Sequence, residues 1–201
     1  MQRFILLGRL PKSPRLRKSL LVPVVIVLSV GCSEQKQKAA SEVEIAKGVP
    51  TMQLTSTAFK EGEAIPTSHG YEDENLSPPL KWSDVPQGAK SFALICDDPD
   101  APRGTWVHWV LFNISADTRE LKSAPGGKVD IPGAIQGKSS FKKLGYGGPA
   151  PPSGTHRYYF KLYALDKALD LKEGATKDEV AKAMNGHIVA QGQLMGKFSA
   201  K

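Results

Sequence analysis

The chain has 201 residues, 40% hydrophobic and 23% charged, a composition of soluble globular type with room for one ordinary domain and its extensions. Its formal charge is +7, but six basic residues (Arg3, Arg9, Lys12, Arg15, Arg17 and Lys18) fall in residues 1–31, which hold no acid. The remainder carries 21 basic and 20 acidic residues, so nucleic-acid binding by the main domain has no electrostatic basis.

The basic N-terminal segment leads into an apolar run at residues 20–28, too short to span a bilayer comfortably and interrupted by Pro23. It ends in Leu28-Ser-Val-Gly-Cys32, which resembles a bacterial lipobox with its leucine one position further upstream than the pattern prefers. The expectation is a lipoprotein-type signal peptide at residues 1–31, lipidation at Cys32 and attachment to the bacterial cell envelope. An ordinary signal peptide cleaved nearby, or an uncleaved anchor, is the alternative. Residues 32–49, dominated by the polar run SEQKQKAASEVEIAK, have the composition of a flexible tether. If lipid consumes Cys32, Cys96 is left alone in an apolar run and reads as a buried core thiol.

Residues 50–201 form one expected domain, with short apolar or alternating segments separated by Gly/Pro-rich loops, the pattern of a mainly β fold. Residues 92–96 (FALIC) and 105–113 (TWVHWVLFN) predict strands covered on both faces. Residues 121–152 contain twelve glycines and prolines and predict one long irregular connection. Residues 156–166 predict a strand with His156, Tyr158, Phe160, Leu162 and Ala164 on one face. Its other face, with Arg157, Tyr159, Lys161, Tyr163 and Leu165, is expected to be partly solvated. A helix is predicted over residues 176–184, with a capping box from Thr176 and Glu179 and a stop at Asn185-Gly186. Residues 187–198 read as a short turn of helix followed by a strand, with no fixed boundary between them.

Chemistry concentrates in residues 97–109, DDPDAPRGTWVHW. Period two places His108 with Trp106, Val110 and Phe112, and Trp109 on the opposite face. The prolines stiffen a turn that turns Asp98 and Asp100 towards His108, while Asp97 simply ends the preceding strand. A carboxylate beside an imidazole favours its charged form and fixes its tautomer. The competing reading is a core histidine beside ordinary turn chemistry. His156 follows a Gly/Pro loop at residues 145–154, which can present backbone N–H groups to a ligand or be a plain surface loop. Two imidazoles and backbone donors around one concavity suit a phosphate or carboxylate. There is no G-x-S-x-G, P-loop, H-E-x-x-H or C-x-x-C motif. A metal site on His108, His156 and an aspartate is conceivable, but no spacing demands it, and no metal or cofactor is expected. Trp82, Trp106 and Trp109 read as core residues, His69 as an exposed loop residue and His187 as packing near the helix end.

Several of these motifs together are familiar. Asp98-Pro-Asp-Ala-Pro102 followed by His108-Trp109, then Gly154-Thr-His-Arg-Tyr158, resembles the phosphatidylethanolamine-binding protein family, in its bacterial Raf kinase inhibitor-like branch. Asn75-Leu-Ser-Pro-Pro-Leu80, Trp82, Gly145-Tyr-Gly-Gly148 and Gly186-His187-Ile188 extend the likeness over about residues 54–198. The resemblance implies a sandwich-like pair of antiparallel sheets with a Greek-key element and one or two short peripheral helices. It also implies a pocket for phosphate, acetate or a phosphatidylethanolamine headgroup, using Asp98, Asp100, His108 and His156, with Tyr158, Pro152 and Gly148 as wall. Two positions depart from the branch: Ala150 stands where a cysteine is common, and Gly70-Tyr-Glu-Asp73 where a Thr-Cys-Asp-Gly-like segment is common. The resulting expectation is a non-enzymatic envelope protein that binds a small anionic or phosphoryl ligand and no nucleic acid. One alternative is a hydrolase using the Asp–His pairs, although Ser153 and Thr155 have no triad-like context. Another is a protein-binding inhibitor or regulator of a kinase or protease.

Overall fold

Strand residues 92–96 and 109–112 are apolar without alternation because the sheet they build is covered on both sides. The computed structural model describes residues 48–201; the expected signal peptide, Cys32 and nearly all of the expected tether lie outside the described residues. Among the described residues the elements in chain order are β1 (Gln53–Thr55), β2 (Leu80–Ser83), β3 (Ser91–Asp98), β4 (Trp106–Ser115), β5 (Glu120–Leu121), β6 (Ile135–Gln136), β7 (Thr155–Leu165), α1 (Lys177–Met184) and β8 (Ile188–Ser199), with a 3-10 turn at Thr67–His69. The strands pair antiparallel in two sheets, β1-β2-β5 and β6-β4-β3-β7-β8. After the β3–β4 hairpin the chain visits the smaller sheet, then returns to lay β7 beside β3, the Greek-key element. The mainly β, two-sheet expectation holds. No helix among the described residues is long and apolar enough to cross a membrane.

Two cores result. Trp82, Phe92, Leu94, Cys96, Trp109, Leu111, Tyr158, Phe160 and Leu162 fill the space between the sheets. Burial pushes the Cys96 thiol pKa well up, the state of an inert core thiol. On the far face, Ala93, Ile95, Val110, Phe112, Tyr163 and Leu165 pack against Val180 and Met184 of α1. Each such fully buried large side chain contributes about 1.5–3 kcal/mol. The outward face of β7 is thus solvated only in its first half, because Tyr163 and Leu165 lie beneath α1. The capping box of α1 forms as predicted, Thr176 Oγ1 accepting from Glu179 N and the Glu179 carboxylate accepting from Thr176 N.

Two bulges in β4 reset its facing. Phe92 pairs with Ile114 and Leu94 with Leu111, and the extra residue there is accommodated at Asn113, whose φ is 55°. Its amide brackets Leu169, donating to the carbonyl at 2.9 Å and accepting from the N–H at 2.7 Å, and so ties down the approach to α1. Nearer the other end, Cys96 pairs with Trp109 but Asp97 pairs with Val107, so β4 carries His108 as one residue too many. His108 and Trp109 consequently turn to the same side, towards Tyr158 and the intersheet core, while Val110 and Phe112 face α1. The period-two expectation that grouped His108 with Val110 and Phe112, and set Trp109 opposite, is corrected by this bulge.

Candidate ligand-binding site

A cavity of about 400 Å³ opens where β3 ends and β4 and β7 begin. Asp98, residues 101–104, Trp106, His108, Phe141, residues 150–152, His156 and Tyr158 form its wall. The β3–β7 and β3–β4 pairings place these segments side by side, although up to 60 residues separate them in sequence.

His108 is held from the loop opposite. Its Nδ1 lies 2.6 Å from the Gly147 carbonyl and 3.1 Å from that of Gly148, so Nδ1 carries the hydrogen and donates. The Gly147 N–H donates back to the His108 carbonyl at 2.9 Å. Burial holds the ring's pKa below the usual histidine value, against the raising effect of these carbonyls and of Asp98. The folded protein therefore keeps His108 neutral near pH 7, with a lone pair at Nε2. Sequence reasoning expected aspartates to charge this ring; backbone carbonyls hold it instead.

The clamp depends on Gly148. A Cβ there would sit 2.1 Å from the His69 carbonyl oxygen and 2.7 Å from the Tyr71 nitrogen, so only glycine admits this approach of two backbones. The Gly148 N–H donates to Asn75 Oδ1 at 2.8 Å. His69 is buried, not exposed as expected. Its Nδ1 bonds the Leu76 carbonyl at 2.8 Å, and its own carbonyl accepts from the Tyr146 hydroxyl at 3.0 Å. His187 lies just past α1 as expected, bonded to Asp166 at 2.9 Å.

The three aspartates have three different jobs. Asp98 is buried and takes His156 Nδ1 on Oδ2 at 2.7 Å and the Asp100 N–H on Oδ1 at 2.8 Å. Its partner is thus His156 across the sheet, not His108. Asp100 does not line the cavity. It accepts from Arg157 Nε at 2.9 Å, Nη2 at 2.7 Å and the backbone N–H at 2.9 Å, and these bonds lower its pKa to about 2. It latches the turn to β7. Asp97 is no plain strand end: on the opposite side of the sheet it is 1% exposed and bridges Lys161 at 2.9 Å and Lys177 at 2.7 Å. No sequence signal pointed to Lys177, which reaches Asp97 from the first turn of α1.

Tyr158 shares the inward face with His156 as expected and meets the His108 ring edge-on at 5.1 Å. Its hydroxyl is buried and donates to no group among the described residues, and burial raises its pKa against the lowering effect of the Ala150 backbone N–H. Sequence reasoning missed Phe141 and Arg103, and it assigned Trp106 to the core. Phe141 stacks on Tyr71 at 4.3 Å and meets Trp106 and His108 edge-on, both at 5.5 Å. An aromatic in the Gly/Ser/Lys-rich stretch GKSSFKKLGYGG was the available signal. Trp106 is half-buried at the rim, while Trp82 and Trp109 are core residues. Among the described residues no group of three or more His, Cys, Asp or Glu side chains is arranged to hold a metal ion.

The sequence profile described as phosphatidylethanolamine-binding protein matches residues 55–199, taking in every residue of this cavity. The chain belongs to the phosphatidylethanolamine-binding protein family. A UPF0098 protein of Methanothermobacter thermautotrophicus is 49% identical over 148 residues, covering 73% of this chain and 98% of the relative. UPF0098 protein YbhB of Escherichia coli is 44% identical over 158 residues, covering 74% and 100%. A crystal structure of a phosphatidylethanolamine-binding protein homolog from Chlamydia trachomatis matches with a TM-score of 0.70 at 42% identity, over 75% of this chain and 99% of that one. E. coli YbcL, described as a member of the mammalian family, matches with a TM-score of 0.70 at 36% identity and the same coverage. Family membership supports a ligand-binding or regulatory protein. Both departures from the branch pattern fall at this site: Ala150 lines the cavity, and Tyr71 supports Phe141.

Proposed function

We propose that this phosphatidylethanolamine-binding protein family member is a non-enzymatic binding protein whose cavity takes a small anionic ligand of phosphate or phospholipid-headgroup type. One observation carries the reading: both histidines are fixed through Nδ1, which leaves two Nε2 atoms for the same enclosure. His108 in its neutral form offers an acceptor there, and the Tyr158 hydroxyl, which donates to no group among the described residues, offers a donor. A phosphoryl oxygen suits the donor, and an ammonium or hydroxyl on the same ligand suits the acceptor, as in phosphoethanolamine. The volume, at the small end for ligand pockets, suits a headgroup. Among the described residues the cavity wall contains no serine, threonine or cysteine, and Thr155 is bonded to Ser199 at the strand end, which favours binding over ester hydrolysis. We further propose that residues 1–49 deliver the domain to the bacterial envelope through lipid on Cys32. Mass spectrometry of the membrane-extracted protein tests this, and an unmodified mature N-terminus elsewhere refutes it.

NMR titration with phosphoethanolamine tests the ligand. The imidazole signals of His108 and His156 are expected to shift together, and His156→Ala to weaken binding by about tenfold. Unmoved imidazole signals at millimolar ligand refute the reading. Turnover of a phosphoester or ester panel, lost in His156→Ala, would establish the hydrolase instead.

A further inference from the structure

An anion entering this cavity meets little positive charge in the enclosed wall. His108 is held neutral by burial. Asp98 brings a buried negative charge, which His156 cancels at most, and then only as imidazolium. The enclosed groups therefore sum to zero at best, and an anion requires a cation from elsewhere.

Arg103, an exposed residue, is the one Lys or Arg among the described residues that line the cavity. Its guanidinium is charged at every relevant pH. Among the described residues it forms no hydrogen bond or salt bridge, and both nearby aspartates are engaged elsewhere: Asp100 by Arg157, Asp98 by His156 and the Asp100 N–H. The loop that carries it is stiff. Pro99 and Pro102 fix their own φ, Gly104 turns the chain at φ 99° with its N–H on the Ala101 carbonyl at 3.1 Å, and the Asp100–Arg157 latch anchors one end. An exposed arginine without a partner among the described residues thus lines a cavity whose interior lacks net positive charge.

We propose that Arg103 is the specificity-determining residue of the cavity, and that it selects dianionic phosphoryl groups, phosphomonoesters and inorganic phosphate, over monoanionic phosphodiesters. The inference rests on the anion-binding reading and names the ligand class within it. A monoester is close to a dianion at pH 7.5, its second pKa lying near 6, and it offers the guanidinium fork two oxygens with more than one charge. A diester offers a single charge, and its second ester arm replaces one of the free oxygens.

The test titrates wild type, Arg103→Gln and Arg103→Lys with inorganic phosphate, phosphoethanolamine and glycerophosphoethanolamine at pH 7.5, following heat and the His108 and His156 signals. Wild type is expected to bind phosphoethanolamine about tenfold tighter than the diester. Arg103→Gln is expected to lose about tenfold for both dianions and little for the diester, closing the gap, and Arg103→Lys to fall between. Phosphate matching phosphoethanolamine in wild type identifies the phosphoryl group alone as the ligand; an advantage of phosphoethanolamine over inorganic phosphate kept in Arg103→Gln identifies the amine as a second determinant. Both results support the assignment when the monoester–diester gap closes. If the anions bind and the gap survives in Arg103→Gln, the Arg103 assignment fails while the anion-binding reading stands. If no anion moves either histidine in wild type, both fail.

Discussion

Replacing Asp98 by asparagine removes one acceptor from a buried group that uses two. Asp98 is 3% exposed and receives His156 Nδ1–H on one oxygen, 2.7 Å away, and the Asp100 N–H on the other, 2.8 Å away. The amide has a single oxygen. If that oxygen keeps Asp100, the NH₂ group confronts Nδ1–H donor to donor. His156 then escapes by moving its hydrogen to Nε2, so that Nδ1 accepts. If the oxygen keeps His156, the Asp100 N–H faces the amide donor at the start of the latched turn. Either way one buried hydrogen bond is lost or rebuilt, at a cost of about 1–3 kcal/mol. For a domain of this size that lowers Tm by roughly 2–12 °C, taking about 2–4 °C per kcal/mol. Thermal unfolding followed by circular dichroism measures the loss, and long-range proton–nitrogen NMR spectra of the imidazoles report the tautomer. An unchanged Tm with His156 still protonated at Nδ1 would show that the Asp98 carboxylate is not what orients the ring.

Three further outcomes are expected. Gly148→Ala forces its Cβ against the His69 carbonyl, a contact of 2.1 Å without relief, so the loop must retreat at a cost of about 1–3 kcal/mol; the His108 imidazole signals should move with it, and unmoved signals in a folded variant would detach the clamp from Gly148. Asp97→Ala leaves the buried Lys177 ammonium unpaired and should cost about 3–5 kcal/mol in urea denaturation, a loss below 1 kcal/mol showing the bridge to be unimportant. The pH profile of stability should fall in two stages: below about pH 6.5 the unfolded chain takes up a proton that neutral, buried His108 refuses, and between about pH 4 and pH 2 Asp100, held at about 2 by Arg157, loses its latch. Denaturation midpoints across that range test this, and the upper stage should shrink in His108→Gln.

The large-scale fold was legible because burial writes itself into long strands. Residues 92–96 carry an apolar run that only a doubly covered strand tolerates, and β7 alternates cleanly along its inward face. Helix α1 was legible from its cap, since Thr176 and Glu179 satisfy each other's backbone donors at a fixed spacing. The three-stranded sheet was not legible. Its strands run three, four and two residues, too short to show a period, and their pairing joins segments brought together by the chain's return. The solvation of β7 was misjudged at its second half because that depends on where α1 lands.

At the site, the sequence named the groups more reliably than their partners, and the bulge at His108 explains much of the difference. Period-two reasoning assumes one residue per step on both strands, and an extra residue leaves no mark in composition. That residue reverses the facing of β4 beyond it, so His108 and Trp109 turn to one side and the ring reaches the Gly147 carbonyl. The aspartates could not be assigned for a related reason. Hydrogen-bond partners across a sheet follow from strand order, and β3 has β4 on one side and β7 on the other. Local proximity pointed Asp98 at His108, ten residues on; register delivered it to His156, 58 residues away, and sent Asp97, its neighbour in the chain, through the opposite face to Lys161 and Lys177. Adjacent acids in a regular strand diverge in this way, and the doublet Asp97-Asp98 does so here, with no extra residue between them. Asp100 lies past the end of the strand, where alternation no longer holds: the turn through Pro99 carries it out to Arg157, leaving Arg103 of the cavity wall without an acidic partner among the described residues.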